Sequence, residues 1–163
     1  MEVNIVYLLP NLSPNFQFFW VLSMSLPSSL ERIVKKFKRA SSNKLRYEQL
    51  LWYAKKLPDF PEAEKIPENK VYGCQSQVYI TANLDDGKVC YQGESDAQLV
   101  KGLVALLIEG LNGLTPQEIT QITPDFIQET GLTVSLTPSR ANGFYNIFKL
   151  MKSKANLYSN LKE

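Results

Sequence analysis

The strongest constraint on the fold is a single alternating segment near the middle of the chain. Apolar residues occupy every second position from Val78 to Leu84, which is the period of a half-buried β-strand. Residues 85–88, Asp-Asp-Gly-Lys, have the composition of a hairpin turn, and residues 89–92 form the return strand. Because helical patterns lie on both sides of this hairpin, the sequence predicts an α+β fold with antiparallel strands.

Two helices are predicted before the hairpin. Ser28 and Glu31 have the spacing of a capping box at the start of the first helix. The polar cluster at 41–43 begins the second helix, and Pro58 ends it. Residues 58–70 contain three prolines, so we expect them to form a long connection on the surface.

The chain after the hairpin is predicted to be mostly helical. Ser95 and Gln98 have capping-box spacing and open a strongly apolar helix. Threonine-proline pairs predict the starts of two short helices and of the last helix, at Thr115-Pro116, Thr123-Pro124 and Thr137-Pro138. Alternating apolar residues at 132, 134 and 136 allow a third strand. We therefore expect a small antiparallel sheet of about three strands packed against helices.

Length and composition fit one domain with one core. The chain has 163 residues, of which 44% are hydrophobic and 21% charged. Residues 28–155 carry the pattern of helices and strands, and residues 156–163 are expected to form a C-terminal tail. Residues 1–27 contain one charged side chain, Glu2, and lack the basic residues of a secretory signal or transit peptide. We interpret them as an N-terminal extension outside the domain, with Met24 as an alternative start.

The composition excludes several classes of function. Histidine is absent from all 163 residues, which removes the commonest general base near neutral pH and the commonest metal ligand. The net charge of +2 gives no reason to expect nucleic acid or an anionic membrane as a partner. The apolar run at 16–22 is far shorter than the ~20 residues that span a bilayer. We expect a cytoplasmic protein without a metal site.

Positive charge is concentrated in one part of the sequence. Nine basic residues lie between Arg32 and Lys56, with Glu48 as the only acidic residue among them. Exposed helix faces are normally charged, so a solvated face is the simpler interpretation. A docking surface is the alternative.

Cys74 is the candidate reactive residue. It follows Gly73 and precedes the polar residues Gln75 and Ser76, in a segment between the proline-rich connection and the first strand. Free cysteines are usually buried as small hydrophobic residues, but polar neighbours on a surface loop weaken that interpretation here. Cys90 lies inside the predicted return strand, and we assign it to packing.

The chemistry open to Cys74 is limited by what the chain lacks. Nucleophilic hydrolysis needs a base and an acid, which histidine normally supplies. No CxxC pair is present, so neither a zinc ribbon nor a thioredoxin motif can be written. Exchange of thiols and sulfur needs only a thiolate and access to the partner's sulfur. Sulfur transfer is therefore the chemistry that the composition favours.

Arg140 has an unusual predicted position. It falls in the first turn of the last helix, where the helix dipole disfavours a cation. Such a placement suggests a specific partner, which is either a carboxylate elsewhere in the fold or a group at a functional site.

Three motifs resemble the signatures of a known family. They are Gly73-Cys74-Gln75-Ser76-Gln77-Val78, then Ser95-Asp96-Ala97 with Val100-Lys101-Gly102-Leu103, then Leu136-Thr137-Pro138-Ser139-Arg140 with Gly143. In this order they resemble the SufE family, the sulfur-accepting partners of SufS-type cysteine desulfurases. The resemblance covers residues 28–154. One departure is Tyr79, where the family often has tryptophan.

The resemblance implies a fold related to the iron–sulfur scaffold proteins and a role for Cys74 as persulfide acceptor. The partner desulfurase would carry pyridoxal phosphate, and this chain would bind no cofactor. Cys74 would pass sulfur to an iron–sulfur assembly complex of SufB type and speed the desulfurase, so the chain would be a sulfur carrier and activator rather than a stand-alone enzyme. Gly73, Gln75, Ser76, Asp96 and Arg140 carry over as supporting or partner-binding residues.

A reactive persulfide also needs protection from small thiols. We expect Cys74 to be tucked against apolar neighbours such as Tyr72 until a partner draws the loop out. Burial would then raise the thiol pKa in the free protein.

Three other functions remain open from the residues alone. An iron–sulfur scaffold would need several ligands that converge on iron, and Cys74 and Cys90 are the only thiols. A redox sensor would form a disulfide between these two cysteines. A non-covalent adaptor would act through the basic segment at 32–56.

The N-terminal extension gives a first prediction. If translation starts at Met24, mass spectrometry of the protein from its native source will show an N-terminus there, without residues 1–23. An intact chain that begins at Met1, with an ordered first segment, contradicts this interpretation.

Overall fold

The computed structural model describes residues 26–160, so most of the predicted N-terminal extension lies outside the described residues. The α+β class is confirmed: a hairpin packs against helices. The helices and strands, in chain order, are α1 Ser28–Lys38, α2 Asn43–Ala54, β1 Val78–Asp85, β2 Lys88–Ser95, α3 Gln98–Leu111, α4 Pro116–Gln121, α5 Phe126–Glu129, α6 Leu132–Ser135 and α7 Pro138–Ser159. Two 3-10 turns, Glu62–Glu64 and Pro67–Asn69, lie in the connection between α2 and β1.

The hairpin forms where the alternation predicted it. β1 and β2 pair antiparallel, from Val78 opposite Ser95 to Asp85 opposite Lys88. The turn residues Asp86 and Gly87 both have positive φ, 45° and 73°, as the preferred two-residue hairpin turns require. Every second residue of β2 is buried, whereas in β1 burial is confined to the first half, with Val78 and Ile80 buried and Leu84 exposed. The return strand extends three residues beyond its predicted end, to Ser95.

The predicted third strand is wrong. Among residues 26–160 the sheet has two strands, and the segment 132–135 is the short helix α6. Leu132 and Leu136 are four residues apart, so a helix places both inward, where they are buried, and turns Val134 outward, where it is 86% exposed. The Tyr47 hydroxyl donates to the carbonyl of Ser135 and holds the helix in place.

Two helix starts confirm the predicted capping chemistry. The Thr115 hydroxyl oxygen accepts from the amide of Glu118 at 3.3 Å, and the Glu118 carboxylate accepts from the amide of Thr115 at 2.8 Å. The Ser42 hydroxyl oxygen accepts from the amide of Leu45 at 3.3 Å and caps α2. The last helix begins after Thr137 with a proline in its first turn, as predicted.

Three predicted caps are wrong because the side chains have other partners or positions. Ser28 is already helical, since Pro27 occupies the cap of α1. The Ser95 hydroxyl accepts from the amide of Ala97, which is itself the cap residue of α3. The Thr123 hydroxyl donates to the Asp125 carboxylate, and Asp125 precedes α5.

Helix α3 is the centre of the core. Ten of its 14 residues are buried, and it lies against α1, α2, the hairpin and α7. At its crossing with α2 the backbones approach closely, because a Cβ on Gly102 would lie 2.3 Å from the carbonyl oxygen of Leu50. Glycine is therefore required at 102 for this helix packing.

Helix α7 closes the domain and continues to Ser159, beyond the predicted start of the tail at 156. The Tyr158 hydroxyl donates to the carbonyl of Ala82 at 2.6 Å, which ties this end of α7 to β1. The Tyr91 hydroxyl donates to the carbonyl of Met151 at 2.7 Å and ties α7 to β2. The domain boundaries at 28 and 155 stay predictions. Among the helices of residues 26–160, none combines the length and apolar character that crossing a membrane requires.

The close helix crossing predicts the effect of a single methyl group. Alanine favours a helix over glycine by about 1 kcal/mol, yet Gly102→Ala is expected to lower the free energy of unfolding by about 2–3 kcal/mol, because the new methyl meets the α2 backbone. The matched control is Gly110→Ala, where the new methyl meets the end of the flexible Leu30 side chain. Denaturant unfolding measures both, and an equal or smaller loss for Gly102→Ala contradicts this account.

Candidate functional site

The Cys74 loop, residues 72–77, lies at the open end of the hairpin. The amide of Val71 donates to the carbonyl of Val78 at 2.9 Å, and Lys70 bridges to Tyr79, so the chain turns back on itself between these anchors. Gly73 has a φ of +78°, a left-handed conformation that glycine adopts without strain. The glycine before the cysteine therefore shapes the turn that presents Cys74.

Cys74 is half-buried and packs against the hydrophobic core. Its Sγ lies 3.7 Å from the carbonyl oxygen of Gly143 in α7 and donates to it. A Cβ on Gly143 would lie 3.5 Å from the same sulfur, so this glycine leaves space beside the thiol. Burial raises the pKa of the Cys74 thiol, because a buried thiolate loses hydration.

A cavity of about 100 Å³ opens beside Cys74. Its lining comes from the Cys74 loop, the start of α3 and the start of α7, which are the three segments that carry the three sequence motifs. The lining residues are Cys74, Gln75, Ser76, Ala97, Val100, Ser139, Arg140 and Gly143. Residues that lie up to 69 positions apart in the sequence thus meet at one place.

Arg140 lines this cavity and is exposed. Within residues 26–160 it forms no salt bridge, and the first turn of α7 contains no acidic residue. The alternative of an ordinary internal ion pair is therefore not what the described part of the chain shows. Together with the positive end of the α7 dipole, Arg140 makes the mouth of the cavity positive.

Asp96 ties the loop to the start of α3. Its carboxylate oxygen Oδ1 accepts from the amide of Gln77 at 2.9 Å, and its own amide donates to the carbonyl of Gln77 at 3.3 Å. Asp96 does not line the cavity. Its place is at the hinge of the loop, so it positions Cys74 from a distance.

Asn146 is a site residue that the sequence reasoning missed. Its Nδ2 donates to the carbonyl of Gly73 at 3.1 Å and holds the loop against α7 from the other side. A Cβ on Gly73 would lie 2.8 Å from the same nitrogen, so the contact is close. The helical spacing of 140, 143 and 146 places Asn146 on the site face of α7, and this signal could have found it.

Tyr72 does not cover Cys74 as predicted. Tyr72 is 67% exposed and points away from the core. Ala97, Val100 and Gly143 line the cavity beside Cys74 in its place. The shelter therefore comes from two helices and not from the loop's own aromatic ring.

Cys90 lies on the outer face of the hairpin, opposite Asn83, and is half-buried outside the core. The assignment to core packing is therefore wrong. It lies five residues along β2 from Ser95, or roughly 16 Å at 3.3 Å per residue, while the Cys74 loop lies at the Ser95 end. A disulfide needs Cα atoms about 4.4–6.8 Å apart, so joining these cysteines would require rearrangement.

A convergent ligand set is not found in the part of the chain that the structure describes. Within residues 26–160 no group of three or more histidine, cysteine, aspartate or glutamate side chains is placed to hold a metal ion. The two thiols lie at different ends of the hairpin. Within residues 26–160 the geometry therefore offers a scaffold function no set of three such ligands at Cys74.

Comparison with known proteins finds one family. The SufE family profile, described as an Fe-S metabolism associated domain, matches residues 31–155. A SufE-like protein of Synechocystis is 70% identical over 131 residues, covering 80% of this chain and 82% of that protein. A chloroplastic/mitochondrial SufE-like protein 1 of Arabidopsis thaliana is 48% identical, and this chain spans 35% of its length. A cysteine desulfuration protein SufE of Plasmodium falciparum is 35% identical, and this chain spans 54% of it.

A solved structure has the same fold. The solution structure of a hypothetical protein from Thermus thermophilus matches with a TM-score of 0.72 at 28% identity. The match covers 83% of this chain and 99% of that one. The arrangement of hairpin and helices is therefore shared by a protein of known structure.

The tethered loop predicts how Cys74 reacts. Because burial raises its pKa, alkylation in the free protein is expected to be slower than for a free cysteine, with a rate that still rises above the pH where a free thiol is half ionised. Asn146→Ala removes one tether and is expected to speed alkylation several-fold, by about 1 kcal/mol of lost loop stability.

The matched control is Asn156→Ala, an exposed asparagine on the same helix far from the loop. Iodoacetamide labelling followed by mass spectrometry reads out Cys74 and Cys90 separately. Fast labelling of Cys74 that Asn146→Ala does not change contradicts the proposed tether.

Proposed function

This chain belongs to the SufE family, and we propose from that premise that Cys74 accepts persulfide sulfur from a cysteine desulfurase and passes it to iron–sulfur cluster assembly. Membership in the family supports a general role in Fe-S metabolism, which is a coarser statement of function than the proposed sulfur transfer. The observation that carries the finer one is the cavity beside Cys74, where all three family-like motifs converge. No other described residue combines a thiol with such surroundings.

The proposed transfer is a thiol exchange. The Cys74 thiolate attacks the terminal sulfur of the persulfide on the desulfurase cysteine. The bond between the two partner sulfurs breaks, its electron pair stays on the desulfurase cysteine as a thiolate, and Cys74 becomes the persulfide. The proton of the Cys74 thiol leaves to solvent or to the departing thiolate. No external oxidant or reductant is needed, and neither is a histidine.

The surroundings of Cys74 suit a carrier that stays quiet until it docks. Burial keeps the thiol protonated in the free protein, so it is a weak nucleophile toward small molecules. The cavity beside it has room for one more sulfur atom. A partner that draws the loop out would break the hydrogen bonds from Asn146 and to Asp96, at a cost of about 1 kcal/mol each.

Arg140 would stabilise negative charge on the sulfur. It is exposed at the mouth of the cavity and has no carboxylate partner within residues 26–160. A guanidinium in this place would stabilise the Cys74 thiolate, or a persulfide anion, once the loop is drawn out. Gly73 and Gly143 would provide the turn and the space, while Gln75 and Ser76 line the cavity beside the thiol.

The partners follow from the same proposal. The donor would be a SufS-type cysteine desulfurase, whose pyridoxal phosphate supplies the chemistry that releases sulfur from cysteine. The acceptor would be an assembly complex of SufB type, and this chain would hold no cofactor of its own. The cytoplasm stays the proposed location.

The test is desulfurase turnover with cysteine, with and without this protein. The wild-type chain is expected to raise turnover and to gain the mass of one sulfur atom on Cys74. Cys74→Ser is expected to lose both effects, and Cys90→Ser to keep both, because Cys90 lies away from the loop. If Cys74→Ser still raises turnover as the wild type does, the chain acts as a non-covalent adaptor and the proposal is wrong.

A further inference from the structure

A second unusual cluster surrounds Trp52 on α2. The indole is 46% exposed, although tryptophan is mostly buried in folded proteins. The ammonium groups of Lys36 on α1 and Lys56 after α2 lie 3.8 and 3.9 Å from the centroid of its ring. We call Trp52, Lys36, Lys56 and the neighbouring Arg32 the Trp52 patch.

The charge of the Trp52 patch is only partly balanced. Glu109 of α3 bonds Lys56 at 3.1 Å, and no other carboxylate within residues 26–160 forms a salt bridge to the patch. Burial raises the pKa of the Tyr53 hydroxyl to about 12, and Glu109 acts in the same direction. Arg32 lies close enough to Tyr53 to act against this shift. Glu109 therefore bonds Lys56 and acts electrostatically on Lys36, and neither Lys36 nor Arg32 forms a salt bridge of its own within residues 26–160.

Other lysines on the same two helices form salt bridges. Lys35 pairs with Glu31, Lys38 with Glu129 and Lys44 with Glu48. Unlike them, Lys36 has no salt bridge; burial lowers its pKa, Glu109 acts against this shift, and the neighbouring Lys56 adds to it. A single lysine on an exposed ring contributes about 0.5–1 kcal/mol, but a second cation beside the first adds repulsion. Two ammonium groups therefore contact one exposed ring, and the salt bridge from Glu109 reaches one of them.

We propose that the Trp52 patch binds an acidic segment of a partner protein. Carboxylates of that segment would pair with Lys36, Lys56 and Arg32, and an apolar side chain between them would pack on the Trp52 ring. Tryptophan and arginine are enriched in protein interfaces, and a polar rim normally surrounds the apolar centre of the contact. With three cations and a whole-chain net charge of +2, the patch is too small for the extended phosphate contacts that nucleic acid requires.

The chain outside the described residues does not supply this occupant. Residues 1–25 contain one carboxylate side chain, Glu2, and residues 161–163 contain one, Glu163. Neither of these ranges therefore supplies a segment with several carboxylates.

The Trp52 patch is separate from the Cys74 site. Val100, which lines the Cys74 cavity, and Glu109, which bonds Lys56, are nine residues apart on α3, or about 13 Å along the helix. A partner held at the patch would leave the Cys74 loop open. The inference does not depend on the chemistry of Cys74, so either can fail without the other.

Nuclear magnetic resonance of the full chain, labelled with ¹⁵N, tests the proposal. The probe is a short synthetic peptide of glutamate and aspartate around one leucine, and the control peptide has glutamine and asparagine at the acidic positions. The acidic peptide is expected to shift the Trp52 indole N–H in a saturable way, and the neutral peptide to leave it unchanged.

Two pairs of substitutions make the test specific. Lys36→Gln with Lys56→Gln is expected to weaken the peptide about tenfold, since each exposed charge pair is worth a few-fold in binding. Trp52→Ala is expected to weaken it as well. Lys38→Gln with Lys44→Gln removes the same charge from the same helices and is expected to change the affinity less than twofold. The rate of Cys74 alkylation should be unchanged in all of them.

Four outcomes overturn the proposal. The first is no shift of the Trp52 signal at millimolar peptide, and the second is an equal loss in both lysine pairs, which would mean unspecific attraction. The third is tighter binding of oligouridylate than of the peptide at the same residues. The fourth is a dimer in sedimentation that Trp52→Ala abolishes, because the occupant would then be a second copy of this chain.

Discussion

Burial of helix α3 is the interaction on which the other parts depend. The helix is held between α2 and the hairpin, and the close approach at Gly102 lets the α2 backbone reach it. Its cap residue Ala97 and its first turn, with Val100, line the Cys74 cavity, and Glu109 near its end bonds Lys56 of the Trp52 patch. Because α3 is rigidly packed, both surfaces are fixed relative to the core, and their separation is set by the length of one helix.

The Cys74 thiol is protected while the loop is tethered, and under the proposed function it would become reactive once the loop has moved outward. In the free protein, burial favours the neutral thiol of Cys74, and the bonds from Asn146 and to Asp96 keep it there. The positive charge of Arg140 and of the α7 dipole lies at the cavity mouth, where it acts on a thiolate that has moved outward. If Cys74 carries sulfur as proposed, activation would depend on the partner that moves the loop.

Local patterns in the sequence predicted the parts of the fold that local physics decides. The alternation from Val78 and the turn at Asp86 and Gly87 define the hairpin, and the Thr115 capping box forms as its spacing indicates. The strand predicted at 132–136 was wrong because apolar residues four positions apart fit the buried face of a helix as well as that of a strand. Contacts with α2, such as the hydrogen bond from Tyr47, decide between the two. Cys74 was singled out by its polar loop and Arg140 by its place in the first turn of the last helix, whereas Asp96 came through the family resemblance. Asn146 was missed because its partner, Gly73, lies 73 residues away in sequence, and composition does not show such a contact.

The anchors of the Cys74 loop also set how far the sulfur can travel. A hydrogen bond between Val71 and Val78 closes the loop. Six residues, 72–77, lie between these two, and Cys74 is near the middle of them. Fully extended, six residues span about 20 Å, so a loop fixed at both ends projects at most about 10 Å from the hairpin. In the proposed transfer, the reactive sulfur of a donor or acceptor must therefore lie within about 10 Å of the open end of the hairpin, unless the hydrogen bond between Val71 and Val78 opens and lengthens the arm.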